Sequence, residues 1–169
     1  MNMNRTKKRR GSLMLEFALV GIPTLFLTVS SIETALAMWQ YHTLEECAAA
    51  GAREVITHGA DCAGTCTVTV GNVITKVVTA GVGLDSSKLT VKLVSASTSP
   101  TGTTYSPASS YLSNSTTFPS GTDATVGDDI TVTVTYQVTN PFVMYWPGAG
   151  TATGSAYTLG ATSRQRILY

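Results

Sequence analysis

Charge is scarce in this sequence. Asp, Glu, Lys and Arg make up 12% of its 169 residues, and histidine occurs only as His42 and His58. A hydrolytic site needs a nucleophile, a base and a group that orients the base, and neither histidine has a local partner set of that kind. Gly-rich phosphate loops and paired carboxylates are absent too, so neither a catalytic site nor a cofactor is expected. Cysteine is limited to Cys47, Cys62 and Cys66. With two histidines these match no standard zinc finger or ribbon, and the spacing is not that of a Cys-x2-Cys redox pair. Asp123, Asp128 and Asp129 lack the ligand periodicity of a calcium loop. No metal is expected.

Basic residues are missing from most of the chain. Arg5, Lys7, Lys8, Arg9 and Arg10 supply five of the eleven, all before Gly11, and beyond them six basic residues face ten acidic ones. The +1 formal charge therefore hides an acidic body with no basic cluster, which excludes the footprint of a nucleic-acid-binding protein. The length suits one domain of the usual ~100–200 residues beside a membrane segment. Its Ser, Thr and Gly content suits a β-rich domain outside the cytoplasm.

What is present is concentrated at the front. Residues 17 to 32 carry no charge, Glu16 and Glu33 bracket them, and apolar character resumes from Ala35 to Trp39. A bilayer takes about 20 such residues. Positive charge precedes the segment only, so the basic end should stay cytoplasmic and the chain beyond Trp39 should be exported. Trp39 and Tyr41 then stand at an interfacial aromatic belt. A secretory signal cut near Ala35-Leu36-Ala37 is the alternative, and it would leave a secreted binding module. It gives no reason for a carboxylate at Glu16, where an intramembrane acid costs up to about 2.5–3.5 kcal/mol.

The run Arg9-Arg10-Gly11-Ser12-Leu13-Met14-Leu15-Glu16-Phe17 resembles the processing site of type IV prepilins. That resemblance implies cleavage by a prepilin peptidase between Gly11 and Ser12, which makes Glu16 the fifth residue of the mature chain. It also implies an assembly role for Glu16, its buried carboxylate neutralised by the free α-amine of a neighbouring subunit. Leu15-Glu16-Phe17-Ala18-Leu19-Val20, then Pro23, then Ile32-Glu33, then Tyr41 and Glu46 to Glu54 narrow the likeness to TadE-like pseudopilins of tight-adherence pilus systems. The implied setting is a bacterial inner membrane crossed once. The implied partners are other pilin and pseudopilin subunits, the prepilin peptidase, an inner-membrane assembly platform and membrane lipid. A pseudopilin of a type II secretion system would share the same leader. Glu33 is either a partner-seeking acid within the membrane or, as preferred here, the outer boundary of the span. Pro23 predicts a bend near Leu19.

Beyond the membrane, Leu44, Cys47, Ala48, Gly51, Ala52 and Val55 recur at helical spacing, so the helix should continue as a stem to about Thr57. Cys62 and Cys66 are close enough to close a small disulfide loop, with Cys47 to either as the alternative pairing. Asn72 is read as the cap of a second short helix whose inward side is Ile74, Val77, Val78 and Gly81. Leu89 to Leu93, Ile130 to Val138 and Ala156 to Ile167 read as strands. Residues 95 to 127, rich in Ser, Thr, Pro and Gly with Tyr105, Tyr111 and Phe118 isolated among them, read as a long loop. The expected fold is α+β and pilin-like: a leader over 1–11, a membrane helix over 12–39, a stem over 40–58 and a small domain over 59–169. In that domain the short helix packs on an antiparallel sheet of at least three strands.

Overall fold

The computed structural model describes residues 5–57, 68–121, 123, 125–139 and 156–167. Its first element, α1, runs over Arg5–Thr57, followed by α2 over Val70–Ala80. The strands are β1 (Leu89–Val94), β2 (Thr103–Tyr105), β3 (Asp129–Thr139) and β4 (Ala156–Arg166), with 3-10 turns at Ser86–Lys88 and Ala108–Tyr111. The chain forms two compact units, Met1–Trp39 and Gln40–Tyr169. The α+β class and the long first helix with a short second one are as the sequence implies.

In the first unit α1 contains Pro23 and continues through it. The hydroxyls of Thr24, Thr28, Ser31 and Thr34 each donate to the carbonyl four residues earlier, at 2.8–2.9 Å. These bonds satisfy the donor of each hydroxyl inside the helix itself, which suits an apolar solvent.

In the second unit all four strands join one antiparallel sheet of order β2-β1-β3-β4. Period-2 alternation decides its faces. Leu89, Val91 and Leu93 of β1 and Ile130, Val132, Val134, Tyr136 and Val138 of β3 are buried on one side, while Thr90, Lys92, Thr131, Thr133 and Thr135 stand on the other. The buried side is covered by the helical stripe the sequence predicts: Leu44, Cys47, Ala48, Ala52 and Val55 are at most 1% exposed. Gly51 lies in the same stripe, where a Cβ would come within 2.7 Å of Val77 Cγ2 on α2 and 3.4 Å of Val132 Cγ1 on β3. Stem, second helix and sheet thus meet at a position that has room only for hydrogen.

Two expectations are corrected. The cap of α2 is Thr69, whose hydroxyl accepts the Asn72 N–H at 3.2 Å, so Asn72 is the residue being capped. The helix starts earlier than read because Val70 and Val73 are also fully buried and extend its apolar face by a turn. The stretch from 95 to 127 is not simply a loop. It contains β2, which pairs with Val91, Lys92 and Leu93, and a bridge from Thr117 to Thr69. Tyr105 and Tyr111 form an edge-to-face pair with centroids 5.2 Å apart, and Phe118 is buried. The buried Asp123 carboxylate ties the segment to the end of β1, accepting bonds from the Ser95 hydroxyl at 2.6 Å, the Ser97 N–H at 3.2 Å and the Ser97 hydroxyl.

Candidate functional site

The residues that carry the sequence motif lie along α1. Gly11 and Ser12 fall in its helical backbone, and Glu16 follows one turn after Ser12, at the i,i+4 spacing that places two residues on one face. Glu16 is exposed, as are its neighbours Leu13, Met14, Leu15 and Phe17, the last at 79%. A carboxylate among exposed apolar side chains is the arrangement expected of a helix whose surroundings are lipid or other helices. Exposed large apolar side chains continue through Leu19, Leu25, Leu27, Ile32 and Leu36 to Trp39. Among the described residues α1 is the one helix long and apolar enough to cross a membrane.

Glu33 is half-buried. It stands seventeen residues beyond Glu16, roughly 26 Å along the axis at 1.5 Å per residue, so the two acids belong to different levels of the helix and form no joint site. Just past the apolar stretch, Trp39 and Tyr41 are exposed. The His42 Nδ1 lies 3.4 Å from Glu45 Oε2, and hydrogen bonding to Glu45 holds the Tyr41 hydroxyl above its ordinary pKa. This is a polar collar where the apolar surface stops.

Cys62 and Cys66 lie outside the described residues, as do the connection over 140–155 and His58. Cys47 is a free, fully buried thiol facing Gly81, where a Cβ would lie 3.2 Å from its Sγ. Burial pushes the thiol up to about 11, which makes it a packing group at neutral pH.

One cluster escaped the sequence reading. Arg164 and Arg166, two apart on β4, both reach across to Asp129 on β3, at 2.6 Å and 3.2 Å. The two guanidinium groups hold the Asp129 carboxyl below the usual carboxylate range. Asp129 and Arg164 line an open groove of about 540 Å³ whose wall also includes Lys92, Ser95, Asp128 and Thr133. Asp128 is occupied in turn by the N–H and hydroxyl of Thr125. The signal for this clamp was the alternation of two arginines on a strand, which puts them on one face opposite any acid in register.

Comparison with known proteins gives one finding. The family model described as TadE-like protein matches residues 11–53, beginning at the Gly11-Ser12 junction and ending within the stem, and so bears out the resemblance over that segment. No curated protein and no solved structure matches the chain.

Proposed function

We propose that this protein is a minor pseudopilin that takes part in building a tight-adherence, type IV-like pilus, acting non-covalently and without an enzymatic activity of its own. The observation that carries the proposal is the coincidence of three boundaries. The TadE-like match starts at Gly11, the five basic residues end at Arg10, and the apolar run of the sequence begins at Leu13. The chain is held once through the inner membrane, with residues before Gly11 cytoplasmic and the sheet domain outside, in keeping with the positive-inside rule.

Processing after Gly11 changes the chemistry of the helix end. Before the cut the Ser12 nitrogen is an amide and α1 has no acid in its first turn. After it, the Ser12 nitrogen is an ammonium group at the helix start, and Glu16 lies within about a turn of the helix N-terminus, where the macrodipole favours a negative charge. Each chain then presents one cation and one anion a turn apart, and neighbouring chains can pair them across subunits. In lipid an unpaired charge is costly, so this pairing selects an axial register. The partners are pilin and pseudopilin subunits, a prepilin peptidase and an inner-membrane platform.

Mass spectrometry of the protein recovered from membranes tests the reading. A mature chain beginning at Ser12 is expected, and its production should depend on Gly11. Cleavage near Ala37 would replace the proposal with a secreted module. Glu16→Ala should leave processing intact and weaken pilus assembly; normal piliation in that variant would refute the charge pairing.

A further inference from the structure

The groove beside the Asp129 clamp lies on the polar side of the sheet, and strand register sets its floor. Lys92 of β1 pairs with Thr133 of β3, and Thr131 of β3 pairs with Arg164 of β4, so alternation turns all four side chains to one face. Ser95, Ser99, Asp128 and Asp129 complete its polar wall. The connection over 140–155 leaves from the far end of the strands. It starts after Thr139, the last residue of β3, which is roughly 20 Å along the strand from Thr133 at about 3.3 Å per residue.

Most polar groups of the groove are already engaged. Arg164 and Arg166 occupy both oxygens of Asp129, the Ser95 hydroxyl donates to Asp123, and the Thr133 hydroxyl bonds that of Thr162 at 3.0 Å. Thr125 occupies Oδ2 of Asp128. Lys92 is different. Among the described residues no carboxylate pairs with it, and Asp128 Oδ1 is likewise open. The lysine is nonetheless held. The chain comes against its stem at Gly102, whose φ is +61° and where a Cβ would lie 3.2 Å from Lys92 Cε; glycine alone adopts that backbone freely. A half-buried ammonium without a counterion, set among side chains already fixed by their own bonds, is a preorganised anion site.

We infer that this groove binds a sugar acid, with its carboxylate on Lys92 and a ring hydroxyl donating to Asp128 Oδ1. The groove's charges select that class. Lys92 and Arg164 are balanced by Asp128 and Asp129, so a multiply charged anion gains at Lys92 and loses against two carboxylates. A single carboxylate makes the charge-assisted bond and leaves Asp128 an acceptor for a neutral hydroxyl. An ammonium ligand at Asp128 would meet the two guanidinium groups gathered on Asp129. The volume of about 540 Å³ is ample for a sugar, within the ~300–1,000 Å³ usual for ligand sites. The inference goes beyond the pilus reading and does not depend on the leader or its processing.

The test is calorimetric titration of the full-length protein in a polyoxyethylene detergent, which carries no sugar, with galacturonate and its trimer as probes. Both should bind. Tighter binding of the trimer identifies a polysaccharide as the source of the ligand, and equal affinity identifies the free acid. The neutral methyl ester should bind about tenfold more weakly or worse. Lys92→Gln should cost the acid a similar factor with the circular dichroism spectrum unchanged, while Lys92→Arg should retain most of the affinity. Lys88→Gln, outside the groove, should change nothing. The inference is overturned by no binding of either acid at millimolar concentration, by equal binding of the ester, or by indifference to Lys92→Gln. Tighter binding of inorganic phosphate or of a free amino acid would overturn it as well.

Discussion

At the scale of single residues, Gly51 and Cys47 lie on the buried stripe of the stem. Gly51 makes the sign of a substitution predictable. Alanine there would gain about 1 kcal/mol of helix propensity yet place its methyl 2.7 Å from Val77 Cγ2, so the two effects oppose. Valine has no such compensation. Gly51→Val should cost at least the ~1–3 kcal/mol typical of overpacking, read as a lower unfolding midpoint in denaturant. Cys47 gives a chemical prediction. With the thiol pushed up to about 11, only about one part in ten thousand is thiolate at pH 7. In a Cys62→Ser, Cys66→Ser variant, labelling by a maleimide should be negligible in the folded protein and rapid once it is unfolded. Fast labelling under native conditions would contradict the burial. Asp129 supplies the pH dependence. Its folded pKa is held below the ordinary carboxylate value of about 3.9. The unfolded chain therefore takes up the proton first as pH falls, and the clamp's contribution, fully present above about pH 4, is lost as pH drops through the folded value. The melting temperature should fall more steeply with acid in the wild type than in Asp129→Asn, and the two curves should converge at the acid end.

At the scale of elements, what decides legibility is whether a signal is local. The stem stripe from Leu44 to Val55 could be read because helical spacing repeats within a few turns, and every one of its predicted positions is buried. The alternation in β1 and β3 was equally plain. By contrast β2 has only Thr103, Thr104 and Tyr105, and it is a strand because Val91 to Leu93 lie beside it. No period can form in three residues. The start of α2 was misread because Asn72 is a good capping residue in isolation, whereas the residue three positions earlier is fixed from outside. Thr69 bridges Thr117, and the Val70 and Gly71 N–H groups donate to the Thr116 and Asn114 carbonyls at 2.8 and 2.9 Å. That zipper explains Gly71, where a Cβ would sit 2.6 Å from the Leu112 carbonyl oxygen and 2.8 Å from that of Asn114. Backbone cannot swing aside as a side chain can. Gly71→Ala should therefore destabilise more than Thr69→Ala, whose lost cap is worth about 1 kcal/mol. Thermal melts of the two variants compare them directly.

At the scale of the whole molecule, α1 carries two surfaces with different requirements, and the chain divides between them at Trp39 and Gln40. Leu13 to Trp39 leaves most of its large apolar side chains exposed, which water does not tolerate over such a length. From Leu44 onward the same helix is part of a core closed by α2 and the sheet. Where a truncation falls should thus matter more than how much it removes. A fragment beginning at Gln40 keeps the buried stripe and loses the apolar surface, so it should be soluble without detergent and unfold cooperatively. A fragment beginning at residue 58 loses Leu44, Cys47, Ala48, Ala52 and Val55 from the core. Burial of a Leu or Val side chain is worth roughly 1.5–3 kcal/mol, and a domain's net stability is typically only about 5–15 kcal/mol. Removing the whole stripe therefore consumes most of that margin, and this shorter fragment should show no cooperative transition by circular dichroism. If it folded as well as the longer one, the stem would be an accessory to the domain, and the continuity of anchor and core in one helix would have no structural consequence.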